Sequence, residues 1–475
     1  ELNSALQVLP STLDKLLVNR MQNALAYNQW KAGKKPDALI TIKKSIDKLN
    51  ELSQYVSHSK TQQQLKLQVD ETLTLYSMLF AKEQDPVKTV AFINKTQRAW
   101  QSSHSNNKKD KAADLFSQIE SISFALENNR LSDKTRQTME SEIISLNNQL
   151  DYLSTIDKTE TPDIDITAMQ AAMSEDELTI QFLTGQYGSI AWWISKDKII
   201  CVPLKNRDEL RTWVERTRQT IADQAKLNPD IIEMTEHLFS ALSDYPEVKR
   251  LNLILEEPLN VLPIAAMPLP ETFDPMVDRY VIKRLNSLLT EQNDNVAEAW
   301  QPVYFANPVH HHKDKRLPEG IDADGITEFT PLAGSAHEVK AINKIIPGVV
   351  FQGFDANKNN FKTQNKNTNV LHMATHAFFN EEHPDLSALV LSAYDAKGKN
   401  QASMVRASEI RNMNMPHNLV VLSGCETGLS SGNGLTGLTQ SFLQAGAKNI
   451  ISSLWQVDDR ATGMMMTLLY QNLDK

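Results

Sequence analysis

Val370-Leu371-His372-Met373-Ala374-Thr375-His376 and Leu419-Val420-Val421-Leu422-Ser423-Gly424-Cys425 are two apolar runs of buried-strand length, each stopping on a reactive side chain. Continuous Val/Leu runs of this kind read as strands covered on both faces. His376 and Cys425 stand 49 positions apart, the separation expected of a general base and a thiol at the ends of neighbouring parallel strands. A thiol is only slightly ionised at neutral pH, so a nucleophilic cysteine needs a base beside it and donors for an oxyanion. His376 is therefore read as the base and Cys425 as the nucleophile. The small residues Ser423 and Gly424 let the backbone turn sharply, so the Cys425 N–H would point into the same crevice as its thiol and serve as an oxyanion donor.

Outward from this pair, residues 251–256, 303–306, 349–352, 389–392 and 450–454 read as further strands, and 335–346 and 437–445 as helices. Residues 178–184, 190–195 and 199–204 read as a meander, followed by helices near 208–222 and 230–242. This alternation predicts an α/β fold with a mostly parallel sheet sandwiched by helices, and chemistry gathered at the carboxyl ends of the strands. The first 155 or so residues are helical throughout, with Gly33 expected as a left-handed stop, Pro36 as an early helical position and Ser132 as an N-cap. The Trp30/Gly33/Pro36/Ala38 stretch resembles a tetratricopeptide repeat, although later hairpins depart from a strict period. The predicted organisation is an all-α, repeat-like docking domain over 1–157, a polar linker at 159–163, a first α/β part over 164–300 and a catalytic part over 301–475.

Bulk composition narrows the function. The chain has 475 residues, 41% hydrophobic and 23% charged, with a net charge of −9. That balance argues against a nucleic-acid or anionic-membrane surface, and no run approaches the roughly 18 apolar residues of a membrane span. Two cysteines, Cys201 and Cys425, exclude a disulfide framework and fit a reducing cytoplasm. They also exclude a structural zinc site of the three- or four-cysteine kind. Glu1 is not an initiator and the last residues read as an unfinished helix, so the sequence is expected to be a piece of a longer chain.

Other candidate residues have simpler readings. Cys201, in an apolar run without glycine or histidine, is expected to be buried. His372 and His376 have the spacing of a zinc helix but lack the glutamate a zincin requires; His372 is expected to be a hydrogen-bonded core residue, and no metal is expected. His310-His311-His312, with Lys313 and Lys315 nearby, reads as a solvated loop. Gly432-Asn433-Gly434-Leu435-Thr436-Gly437 matches a dinucleotide fingerprint, with Asp458 where a ribose-binding acid would belong. The glycines do not follow a strand directly, so they read instead as a mobile loop flanking the site. Asp458 and Asp459, past the strand at 450–454, would either line a pocket for a basic side chain or cap the following helix.

At these residues the chain resembles a CHAT domain, the caspase-like peptidase module often found behind tetratricopeptide repeats. The resemblance spans about 178–475. It rests on Leu371-His372-Met373-Ala374-Thr375-His376, Val421-Leu422-Ser423-Gly424-Cys425-Glu426-Thr427-Gly428, Phe442-Leu443-Gln444-Ala445-Gly446-Ala447 and Ser453-Leu454-Trp455-Gln456-Val457-Asp458-Asp459. Pro263 to Met267 and Leu332 to Val339 fit a less specific upstream pattern. The resemblance implies a caspase- and separase-like fold with a His376/Cys425 dyad and no cofactor. It implies a cysteine endopeptidase acting on protein substrates. Where the family usually has glycine after the histidine, Ala377 stands here; its N–H still serves as an oxyanion donor provided φ need not be positive. The helical part is expected to bind an activating protein or ribonucleoprotein, and the family suggests prokaryotic antiviral defence or programmed death. The alternatives are a catalytically silent scaffold and, last, a nucleotide-binding protein using Gly432, Gly434 and Gly437.

Overall fold

The computed structural model describes residues 15–53, 59–81, 84–101, 109–126, 131–154, 164–222, 229–285, 287–288, 299–311, 313–318, 332–363, 368–380, 383–423, 433–453 and 459–473. Helices α1 (Lys15–Lys31), α2 (Lys35–Ser53), α3 (Ser59–Phe80), α4 (Pro86–Gln101), α5 (Lys109–Leu126) and α6 (Asp133–Ser154) come first, then the short α7 (Ile166–Ala172). A meander of β1 (Glu177–Leu183), β2 (Ser189–Ile194) and β3 (Ile199–Leu204) leads into α8 (Arg207–Ala222), α9 (Pro229–Leu238), β4 (Arg250–Ile254) and β5 (Val281–Leu285). There follow β6 (Pro302–Ala306), α10 (Ala333–Ile342), β7 (Val349–Gln352), α11 (Lys358–Thr363), β8 (Val370–Ala374) and β9 (His376–Phe378). The chain ends with β10 (Ala388–Val390), β11 (Met404–Arg406), α12 (Ala407–Arg411), β12 (Leu419–Leu422), α13 (Asn433–Gln444), β13 (Ile450–Ser452) and α14 (Asp459–Leu473).

Local chemistry accounts for the helix boundaries. Gly33 takes φ +76° between α1 and α2, the left-handed stop that only glycine adopts without a Cβ penalty. The Asp85 carboxylate accepts from the Val87 N–H at 2.9 Å and so caps α4. The Ser132 hydroxyl accepts from Thr135 N–H at 3.2 Å at the start of α6, as expected of an N-cap. The expected linker at 159–163 lies outside the described residues.

The chain divides into two compact units, 1–107 with 151–293, and 108–150 with 294–475. In the first, a five-stranded sheet runs β3-β2-β1-β4-β5; its meander is antiparallel, while β4 pairs parallel with both β1 and β5. Alternation puts Leu178, Ile180, Phe182 and Trp193 on one face, packed with Leu210, Met234 and Leu238 from α8 and α9. Ile190, Trp192 and Ile194 face the other way, onto Leu73, Phe80 and Ile93 of α3 and α4. Cys201 is half-buried and packs against this second cluster.

The second unit is built on a sheet in the order β13-β12-β8-β6-β7, parallel at every pairing. One face carries Leu371, Met373, Val420 and Leu422 against Phe361, Leu438 and Phe442; the other carries Tyr304, Val370 and Val421 against Val339, Ile342 and Tyr470. Helices therefore cover both faces of a parallel sheet, as the continuous apolar runs imply. A separate antiparallel sheet, β11-β10-β9, takes the strand read at 389–392. Helices α5 and α6 close over Leu386 through Ile119, Leu126, Ile143 and Leu146. Among the described residues no helix is long and apolar enough to cross a membrane.

Candidate active site

The two quoted runs are neighbours. β8 and β12 pair in parallel with Leu419 opposite Val370 and Leu422 opposite Met373. The ladder continues one step further, because the Ser423 N–H donates to the Met373 carbonyl at 3.0 Å. His376 follows Met373 by three residues, as Cys425 follows Leu422 by three in the sequence; Cys425 itself lies outside the described residues. After Ala374 the chain leaves the parallel sheet and enters the small antiparallel one, where His376 pairs with Val390 and Ala377 with Leu389. His376 thus sits where the two sheets meet, at the carboxyl end of β8, and is 1% exposed.

Ala377 occupies β9 with its methyl group in the apolar cluster of Leu371, Met373 and Leu389. It is not among the residues of positive φ, so alanine meets the backbone requirement there without strain. Asp459 opens α14; Asp458 and Gly432 lie outside the described residues. Gly434 and Gly437 are inside α13, which corrects the reading of these glycines as a loop. A Cβ on Gly437 would lie 2.5 Å from the Cβ of Pro384, so close packing accounts for that glycine and no phosphate is needed to explain it.

His310 was misread from the sequence. A run of histidines and lysines suggests a solvated loop, yet His310 is 1% exposed and its ring meets that of His376 edge to face, with centroids 5.2 Å apart. The cause is the turn leaving β6. Asn307 adopts φ +47°, a left-handed conformation that asparagine tolerates better than most residues. Its carbonyl accepts from Arg316 Nη1 at 2.9 Å and its N–H donates to Ser335 Oγ at 2.9 Å. The Val309 N–H donates to Ser392 Oγ at 2.9 Å. These bonds fold 307–310 back across the strand ends where His376 lies. Burial disfavours the ionised Asp314, but hydrogen bonds from Arg316 and the charges of Arg316 and His310 more than offset it, holding its carboxyl below the usual range.

His372 has the structural role expected of it. It is fully buried, with Nε2 2.8 Å from Glu338 Oε1 and Nδ1 3.1 Å from the Tyr470 hydroxyl. The carboxylate only accepts, so Nε2 carries the hydrogen. Burial, with the neighbouring Tyr304 and Glu338, pushes the Tyr470 hydroxyl far above its ordinary ionisation range, so it stays protonated beside Nδ1. The same Glu338 oxygen accepts a hydrogen bond from the Ser423 hydroxyl. Sequence reasoning missed Glu338, although one signal was present: it lies on the same helical face as Ile342, four residues on, and an acid on an apolar face needs a buried partner.

Taken together, a buried imidazole stands at the end of one parallel strand, and the adjoining strand is followed in the sequence by Cys425, two residues past Ser423. Such an arrangement can deprotonate a neighbouring nucleophile and return the proton to a leaving group. Among the described residues no group of three or more histidine, cysteine or carboxylate side chains gathers in a way that could hold a metal ion. Comparison with curated proteins finds no match. Residues 225–475 match the family model of the CHAT domain; this stretch, more than half of the chain, contains the parallel sheet, His376 and Cys425, and the chain belongs to the CHAT-domain family, which is caspase-like and related to peptidases.

Proposed function

We propose that the chain is a cysteine endopeptidase using His376 and Cys425 as its dyad. The observation that supports this reading is the register of β8 and β12, in which Met373 faces Leu422, with His376 buried at the strand exit; in the sequence, residues 376 and 425 each follow that pair by three positions. In the proposed reaction the Cys425 thiolate attacks a peptide carbonyl. His376 takes the thiol proton and then delivers it to the leaving amine, and water hydrolyses the acyl-enzyme. Backbone N–H groups of Ala377 and Cys425 stabilise the tetrahedral oxyanion. Asp458 or Asp459 favours a basic residue on the acyl side of the cleaved bond.

The helical segments recruit the substrate or an activating protein or ribonucleoprotein, without direct nucleic-acid binding, in the cytoplasm. Antiviral defence or programmed death is the role such a gated peptidase would serve. Cleavage of a peptide library, with and without candidate partners, tests the reading. Cys425→Ala and His376→Ala are each expected to lower cleavage by at least about 1,000-fold. Equal cleavage by parent and Cys425→Ala would sink the peptidase and favour a silent scaffold.

A further inference from the structure

The strands that precede the proposed base and nucleophile in the sequence are linked through one carboxylate. Glu338, on α10, accepts from His372 Nε2 at 2.8 Å and from the Ser423 hydroxyl on the same oxygen. His372 belongs to β8 and precedes His376 by four residues; Ser423 directly follows β12 and precedes Cys425 by two. All three are at most 8% exposed. Tyr470 of α14 completes the chain by bonding His372 Nδ1.

A core that only needed filling would use apolar side chains here. The surrounding positions do so with Val339, Ile342, Val370 and Val421, and a buried carboxylate, even when hydrogen-bonded, is often no more stabilising than apolar packing. Sheet hydrogen bonds set the spacing of β8 and β12 along the paired residues, but the last such bond described between the two is the one from Ser423 N–H to Met373. The Ser423 hydroxyl, fixed to Glu338, adds a side-chain tie at the residue immediately past β12. His372 fixes the same carboxylate to β8.

We propose that Glu338 is a positioning residue for the dyad, its carboxylate holding the exit of β12 against β8 so that the chain leaving Ser423 is presented to His376 at reacting distance. It touches no substrate and takes no proton in the reaction. This rests on the peptidase reading above, and the contribution is of the kind that correct orientation makes to an intramolecular encounter, where small misplacements cost large factors in rate.

Three variants of the chain test it: Glu338→Gln, which keeps the shape and removes the charge, Ser423→Ala, which removes only the hydroxyl, and Ser423→Thr, which restores one. Glu338→Gln and Ser423→Ala are each expected to lower kcat about 10- to 100-fold, as loss of a charge-assisted hydrogen bond would, with KM changed less than about two-fold. Ser423→Thr is expected to recover most of the loss. The double variant is expected to be no worse than the poorer single one, because both act through one link. A kcat within about two-fold of the parent in Glu338→Gln, or a loss matched by the unfolded fraction in thermal melts, overturns the proposal.

Iodoacetamide alkylation of Cys425, followed by mass spectrometry with Cys201 as internal reference, separates this proposal from the reading beneath it. If the parent cleaves nothing in a Cys425-dependent way, the peptidase reading fails. The positioning role then stands or falls on whether Glu338→Gln and Ser423→Ala change the Cys425 alkylation rate at least about three-fold while leaving Cys201 unchanged. An unchanged Cys425 rate in both variants overturns it.

Discussion

Gly437 lies within α13 with Pro384 so near that an added Cβ would fall 2.5 Å from the proline Cβ and 3.0 Å from its carbonyl oxygen. Proline cannot swing aside as a flexible side chain would, so Gly437→Ala should cost about 1–3 kcal/mol through overpacking. A thermal melt checks this, and an unchanged midpoint would refute it. The neighbouring question is His310. Its ring fills the space against His376, so His310→Ala should leave the imidazole less constrained and lower kcat about 10-fold, whereas His310→Phe should retain most activity by keeping a ring in place. Steady-state kinetics on both variants decide this, and equal losses would point to a polar rather than a packing role. These residues also mark what could be read in advance. His376 and Cys425 announced themselves by ending apolar runs. His310 did not, because its burial depends on a left-handed Asn307 and on Ser392, which bonds Val309 from 83 residues further along the chain. Glu338 sat in plain view within a quoted motif, but its partners His372 and Ser423 become visible only once β8 and β12 are side by side.

Among the elements, the long apolar strands β6, β8 and β12 were legible because four or five consecutive buried residues leave few alternatives to a covered strand. The three-residue strands β9 and β11 were not: runs that short carry no periodicity, and their pairing follows from the chain turning out of the parallel sheet. β5, with the sequence Val-Ile-Lys-Arg-Leu and mostly exposed, lacks the apolar continuity of its neighbours. α11 escaped notice for a different reason. Lys358, its first residue, is 5% exposed and bonds Glu409 at 2.8 Å and the Met404 carbonyl at 3.0 Å, so a lysine that reads as surface is a core cation. Lys358→Met should strand Glu409 without its counter-charge and destabilise the second unit by about 3–5 kcal/mol. Chemical denaturation measures this, and a loss below about 1 kcal/mol would mean that Glu409 is relieved by water or by Lys362.

At the level of the whole molecule, acid sensitivity is written into both units. Burial holds the fully buried His417 below its ordinary pKa of 6.5. Burial, with the charge of Lys205, does the same for His237, whose Nε2 accepts from the Lys205 N–H at 2.9 Å. For a base with a lowered folded pKa, the unfolded chain binds the proton first. Stability is therefore full above about pH 6.5 and falls as the pH drops from there towards the folded values. Melting midpoints measured between pH 5 and pH 8 should decline below pH 6.5, and His417→Asn should flatten part of that decline; a midpoint that rises on acidification would contradict the assignment.

One more property follows from the path of the chain. The hairpin of α5 and α6 is packed with residues far later in the chain, where Arg406 Nε donates to Ser123 Oγ, 283 positions before it, at 3.0 Å and Leu386 is enclosed by four helical aliphatics. A fragment cut to begin at residue 301 would therefore expose Leu386 to water and leave the buried Arg406 guanidinium without its Ser123 partner. Anyone preparing the sheet with His376 in isolation should co-express residues 109–154, or fuse them to it, rather than regard them as a detachable handle.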